Sequence, residues 1–193
     1  MHCVIIYRLE GNISTDKDLI FAYSCYIASC MSYAVLATAI VFDMRENYQL
    51  IDNAIIPCPE VAAIMLFANS VCAFHADVMY CPLLYGFPFN RVHMENSHIC
   101  RIWLRVNRIF VTMTGFLFSL NWFKLSWSEC MGMTLLAFVA MIQLIMSRVA
   151  AKRYNIKEYI YYHTIWHLYL PTTFACWLYL RPIYTYLNNS IVR

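Results

Sequence analysis

The sequence predicts an all-α fold, a polytopic transmembrane helical bundle of about five spans. Three observations carry that expectation. Hydrophobic residues make up 62% of the 193-residue chain and charged residues only 13%, with a mean hydropathy of +0.54; a soluble domain carries about 25% charge. The apolar residues gather into stretches approaching the roughly 20 residues that one helix needs to cross a bilayer core. Much of the Tyr and Trp, within an aromatic share of 17%, flanks those stretches, as membrane interfaces favour.

Taken in order, the first span is residues 19–42, between Asp18 and Asp43, with no charge inside. The second follows Pro57, Pro59 and the interfacial Glu60 and covers residues 61–75. The third, about 102–123, is headed by Arg101, Arg105 and Arg108 and is free of charge only over 109–123. The fourth, about 125–147, carries only Glu129 near its start, and Trp122 and Trp127 bracket the turn before it as interfacial anchors. The fifth, residues 159–180, is closed by Arg181 and Pro182. A single bundle is therefore expected over 19–181, after an N-terminal segment 1–18 and before a short tail 182–193.

Arg8, Lys17, Arg91, Arg148, Lys152, Arg153 and Lys157 fall on the face shared by the N-terminus, the 76–100 loop and the 148–158 loop; Arg45, Lys124, Arg181 and Arg193 fall on the other. The positive-inside tendency then makes the N-terminus cytoplasmic. Charges in the first eighteen positions speak against a cleavable signal peptide. The glycosylation acceptors at Asn12 and Asn188 lie on opposite faces, so at most one is modified. Nine cysteines are scattered without a CxxC pair and act mostly as small hydrophobes. Cys81 and Cys100, in one predicted loop, are the candidate disulfide pair. The basic residues form no continuous stripe outside the membrane, which leaves membrane lipids as partners and gives nucleic acid no footing.

Chemistry concentrates in the histidines. His163 and His167 stand four apart and share a helix face, with Trp166 between them facing a neighbouring helix. His75 ends the second span on the same membrane face as that pair. Three imidazoles at one depth make a candidate zinc site, and three protein ligands with a fourth position left to water is its catalytic form. Two readings stay open beside it: histidines that only hydrogen-bond between helices, and a bis-histidine haem, which needs its ligands on facing helices.

The stretch EYIYYHTIWHLYLP resembles the last-helix signature of the transmembrane protein 8 and myomaker branch of the CREST superfamily of membrane hydrolases. SVCAFHADVMYCP resembles that superfamily's second-helix segment. The resemblance implies a zinc ion held by His75, His163 and His167, and hydrolysis of an amide or ester bond in a lipid. It also implies a serine four positions before His75, where this chain has Val71; Ser70, next to it, lies about 100° round the helix. The third-helix aspartate of the superfamily is matched by Asn107 in WLRVNRIF, which cannot serve as a general base. Asp77, two residues past His75, is a second candidate for the catalytic role, reaching in from the helix end. Relatives usually have seven spans; loss of a pair between the third and fourth would keep the last helix in its orientation. The resemblance places the N-terminus outside the cytoplasm, opposite to the loop charges.

These features lead to an integral membrane protein resembling zinc-dependent lipid hydrolases with impaired or lost catalysis, a pseudo-enzyme or membrane-remodelling protein. The alternatives are an active ceramidase- or phospholipase-like hydrolase and a purely structural interaction protein. Arg101, Arg105 and Arg108 share one stripe within about 60°, with Asn107 on the other side. They serve either as snorkelling anchors or, with Arg91 and the 148–157 cluster, as an anionic-headgroup site. His93 and His98, with Glu95, lie on the same face as the histidine site, as accessory ligands, lid residues or simply surface residues.

Overall fold

The computed structural model describes residues 17–46, 59–92, 97–120 and 125–191, and among these the chain is helical with no strand. Helix α1 is Lys17–Cys30 and α2 Ser32–Glu46, separated by a break at Met31. Helix α3, Pro59–Ala73, continues into a π-helical turn, Phe74–Met79, and a short 3-10 turn follows at Pro82–Leu84. Then come α4 (Ser97–Ser119), α5 (Trp127–Lys152) and α6 (Ile156–Ile191). Each apolar stretch is helical where it is described, and α6 runs on through Pro182 into the expected tail.

Among the described residues three segments are long and apolar enough to cross a membrane: Lys17–Phe42, Pro59–Met79 and Trp127–Lys152. The five expected spans thus become three on this measure. Three arginines thin the apolar run of α4, and α6 dilutes its apolar residues with Tyr, His and Thr. The α5 segment has only 11% of its apolar window buried inside the protein. Met131, Leu135, Phe138, Met141 and Ile145 are exposed along it, an apolar face that water does not tolerate at this size and lipid does.

Helix α6 packs against α5, α1 and α2, while α3 packs against α2 and α4. Ala37, Ala62 and Ala63 are fully buried with Leu36, Ile40 and Leu66; these small side chains let α2 and α3 approach closely. A second core at one end joins Tyr23, Tyr26, Val78, Leu84, Phe87, Tyr159 and Ile160.

Two connections differ from the sequence expectation. In place of a 148–158 loop there is a tight turn, because α5 ends in a Schellman motif: Asn155 N–H donates to Ala150 O at 3.0 Å and Tyr154 N–H to Ala151 O at 3.1 Å. Tyr154 takes the left-handed conformation this requires, with φ 56°, and Asn155 Oδ1 then accepts from Glu158 N–H at the start of α6. The loop after the second span also starts later than expected, and its described part folds back as a plug. Leu84, Phe87 and Val92 are buried, Asn90 Nδ2 donates to Val78 O and Cys81 O, and Tyr23 OH donates to Pro88 O. Cys81 and Cys100 are both free, buried thiols rather than a bridge, and burial pushes the Cys81 thiol up to about 11.

A candidate metal centre

His163 and His167 come from adjacent turns of α6, and both are nearly inaccessible, at 8% and 3% exposure. The structure sets Asp77, 6% exposed, directly against them. Asp77 Oδ2 lies 3.2 Å from His167 Nε2 and 3.6 Å from His163 Nε2. One ligating atom from each of the three residues lies within 4.8 Å of the others, so the group can hold a metal ion.

The buried face of α3, continued into the π-helical turn, is what delivers the carboxylate. Residues two apart on a helix point to nearly opposite sides, so His75 and Asp77 cannot both face α6. Asp77 continues the buried face of α3, after Asn69, Ser70 and Ala73. His75 continues the face of Val71, which is 53% exposed. Its Nδ1 lies 2.8 Å from Val71 O, and its ring stacks on Trp103 with centroids 4.3 Å apart. The structure therefore parts His75 from the HTIWH pair, and Asp77 stands where the resemblance led us to expect His75. Turns of π-helix are frequent at functional sites.

Asn107, on α4, donates from Nδ2 to Asp77 Oδ2 at 3.4 Å. The two candidates for the catalytic role thus meet each other, and Asp77 also meets the histidines. Arg108 lines the same cavity as Asn107; the arginine stripe and the site share a wall there, contrary to the helical-wheel expectation. His98 is exposed on α4, while His93 and Glu95 lie outside the described residues.

Groups that sequence reasoning had passed over fix the two rings. Ser147 Oγ donates its hydrogen to Leu144 O at 2.8 Å and stands 3.3 Å from His163 Nδ1. With its hydrogen committed, the hydroxyl accepts from His163 Nδ1–H. Histidine ligands characteristically have the second ring nitrogen tied in this way. His167 is held through its backbone. Residue 171 is proline and has no N–H to give the His167 carbonyl; Ser32 Oγ donates to that oxygen instead, at 2.7 Å. Ser32 opens α2 just after the Met31 break, and the same break leaves Ala34 N–H to Ser70 Oγ at 2.8 Å. Tyr159 and Tyr26 pack on the His163 ring at 5.1 and 5.7 Å, and Tyr33 meets His167 edge-on at 6.1 Å.

The proton arrangement supplies a test of fit for a cation. In neutral His163, Nδ1 carries the hydrogen and Nε2 a lone pair, and that lone pair faces the Asp77 carboxylate. Two acceptors face each other stably only with positive charge between or upon them, a metal ion or a second ring proton. A tetrahedral metal ion with bonds of about 2.0–2.2 Å separates its donors by about 3.3–3.5 Å; the two separations to Asp77 Oδ2, 3.2 and 3.6 Å, bracket this, and all three donors lie within 4.8 Å of one another. His167 Nδ1 is buried without a partner, so that ring has a donor or acceptor to spare. The donor set can hold a metal cation.

Above the trio opens a cavity of about 350 Å³ lined by Asn69, Leu104, Thr112, Leu144, Trp166 and the groups already named. No family model matches the chain, and neither a curated protein nor a solved structure matches it.

Proposed function

We propose that this is an integral membrane protein resembling CREST-type lipid hydrolases, carrying a zinc ion on Asp77, His163 and His167 in place of their three histidines, with hydrolysis impaired or lost. The observation that carries the metal is the convergence of the three donors on Asp77 Oδ2 with the His163 lone pair turned toward it. Bound there, zinc supplies Lewis acidity for polarising a carbonyl and for acidifying water. Ser147 holds the His163 tautomer, Ser32 holds the His167 backbone, and Asn107 restrains the carboxylate. Trp166 and Leu144 add apolar surface to the cavity wall.

Impaired catalysis follows from the acid–base inventory. Among the described residues Asp77 is the one acidic residue lining the cavity, and as a ligand it is unavailable as a base. Asn107 neither takes nor gives a proton at working pH. A missing general base typically lowers the rate by about 10²–10⁴-fold.

Metal analysis of the purified chain tests this reading. Zinc is expected in the wild type and in His75→Ala, and absent from His163→Ala and Asp77→Ala. Turnover of ceramide and phospholipid by the zinc-loaded wild type is expected to be slow or undetectable; robust turnover would make it an active hydrolase. A metal-free wild type would leave the trio as a buried imidazolium–carboxylate brace in a structural protein.

A further inference from the structure

The charged groups that line the cavity are Asp77, Arg108 and Arg148. Asp77 is turned to the histidines, whereas among the described residues no carboxylate pairs with either arginine. Arg108 follows Asn107, which touches Asp77, and Arg148 follows Ser147, which touches His163. Arginines from two different helices, α4 and α5, therefore line the cavity next in sequence to residues that touch the trio. Both arginines are exposed as well as lining the cavity, so their guanidinium groups are open to an anionic ligand at its mouth, and arginine forks match phosphate oxygens.

A second cavity of about 270 Å³ adjoins the first, and the two share Tyr33, Asn69 and Val111 in their walls. Its remaining lining is almost wholly apolar, including Leu66, Leu136, Leu170, Phe174 and Trp177. All four helices pass through the two cavities in the same order. The apolar one meets α3 at Leu66, α4 at Gly115, α5 at Met133 and α6 at Trp177; the polar one meets them at Asp77, Leu104, Arg148 and His163. A greasy slot thus ends at the trio and its arginines.

We propose that the joined cavities bind a lipid phosphate, with the phosphate between Arg108 and Arg148 and an acyl chain in the apolar slot. The proposal deepens the lipid reading above and rests on it for the class of ligand, while the phosphate site stands on the arginines and does not require zinc. Arg101 and Arg105 share the helical stripe with Arg108 but do not line either cavity, so they separate a built site from general attraction of anions to a basic surface.

The test uses the full chain in neutral detergent, titrated with lysophosphatidate, with monoacylglycerol of the same chain length, and with inorganic phosphate. Saturable binding of lysophosphatidate is expected, with much weaker binding of the other two, since each lacks one half of the ligand. Arg108→Gln and Arg148→Gln should each weaken lysophosphatidate by about tenfold or more, the scale of one charge-assisted contact; Arg101→Gln and Arg105→Gln should leave it unchanged. Gly115→Leu adds a side chain to the wall of the slot at a point where a Cβ meets nothing within 4 Å, and should weaken both acyl ligands while leaving inorganic phosphate unchanged. Equal losses from all four arginine variants, or monoacylglycerol binding as tightly as lysophosphatidate, would overturn the proposal. Inorganic phosphate binding as tightly as the lipid would overturn the acyl-chain half. Zinc content, measured on the same samples, reports separately on the metal centre: loss of zinc with arginine-dependent binding intact would refute that reading and leave this one standing.

Discussion

At the residue scale, His163 depends on a hydroxyl sixteen positions away. Ser147→Ala removes the acceptor for His163 Nδ1–H, which burial then leaves unsatisfied at about 1–3 kcal/mol. Zinc affinity should fall by about 10–100-fold, as for other partners that orient a ligand histidine, measured by competition with a chromophoric chelator; unchanged affinity would mean that the packed tyrosines alone set the ring. The histidine pair itself was legible because i and i+4 on a helix share a face whatever the fold. The contribution of Asp77 was half legible: its place two residues past His75 marks it as polar at a helix end, but which of the two faces α6 is decided by the register of α3 and its π-helical turn. Ser147 and Ser32 left no sequence signal, since a lone serine in an apolar helix looks like many others and its partner is fixed only by packing.

At the element scale, three helix irregularities meet at the centre: the Met31 break, the π-helical turn after α3, and Pro171 in α6. Two of them answer each other through the bond from Ser32 to the His167 carbonyl. Ser32→Ala should therefore destabilise the bundle by about 1–2 kcal/mol. Pro171→Ala restores the N–H that the carbonyl lacks, and in that background the Ser32→Ala loss should largely vanish, a coupling readable in a double-mutant cycle of unfolding in detergent. Equal losses in both backgrounds would mean the serine acts elsewhere. Proline at 171 was visible in the sequence, four residues after His167; the donor that replaces its missing N–H lies on α2 and was not. Helix positions followed from apolar run length, but the α5–α6 turn did not, because charged residues at 148–158 look like a loop until the Schellman hydrogen bonds close it.

At the scale of the whole molecule, apolar composition predicted a helical bundle, and the structure keeps it, with three helices long and apolar enough to span. Helix α5 turns its apolar side chains outward, so a charge at Phe138 would sit in lipid. Phe138→Lys should oppose insertion by about 3 kcal/mol and lower the carbonate-resistant fraction of the protein; insertion at the wild-type level would show that α5 faces a protein partner or water. Span count was the least legible feature, because α4 and α6 are polar enough to be judged differently once neighbouring helices cover them. The organisation of the bundle around Asp77, His163 and His167 is tested most directly by X-ray absorption at the zinc edge of the metal-loaded chain. Two imidazoles with oxygen donors at about 2.0–2.2 Å, unchanged by His75→Ala and lost with Asp77→Ala, are the predicted result. Three imidazoles in the wild type, one of them disappearing with His75→Ala, would contradict it.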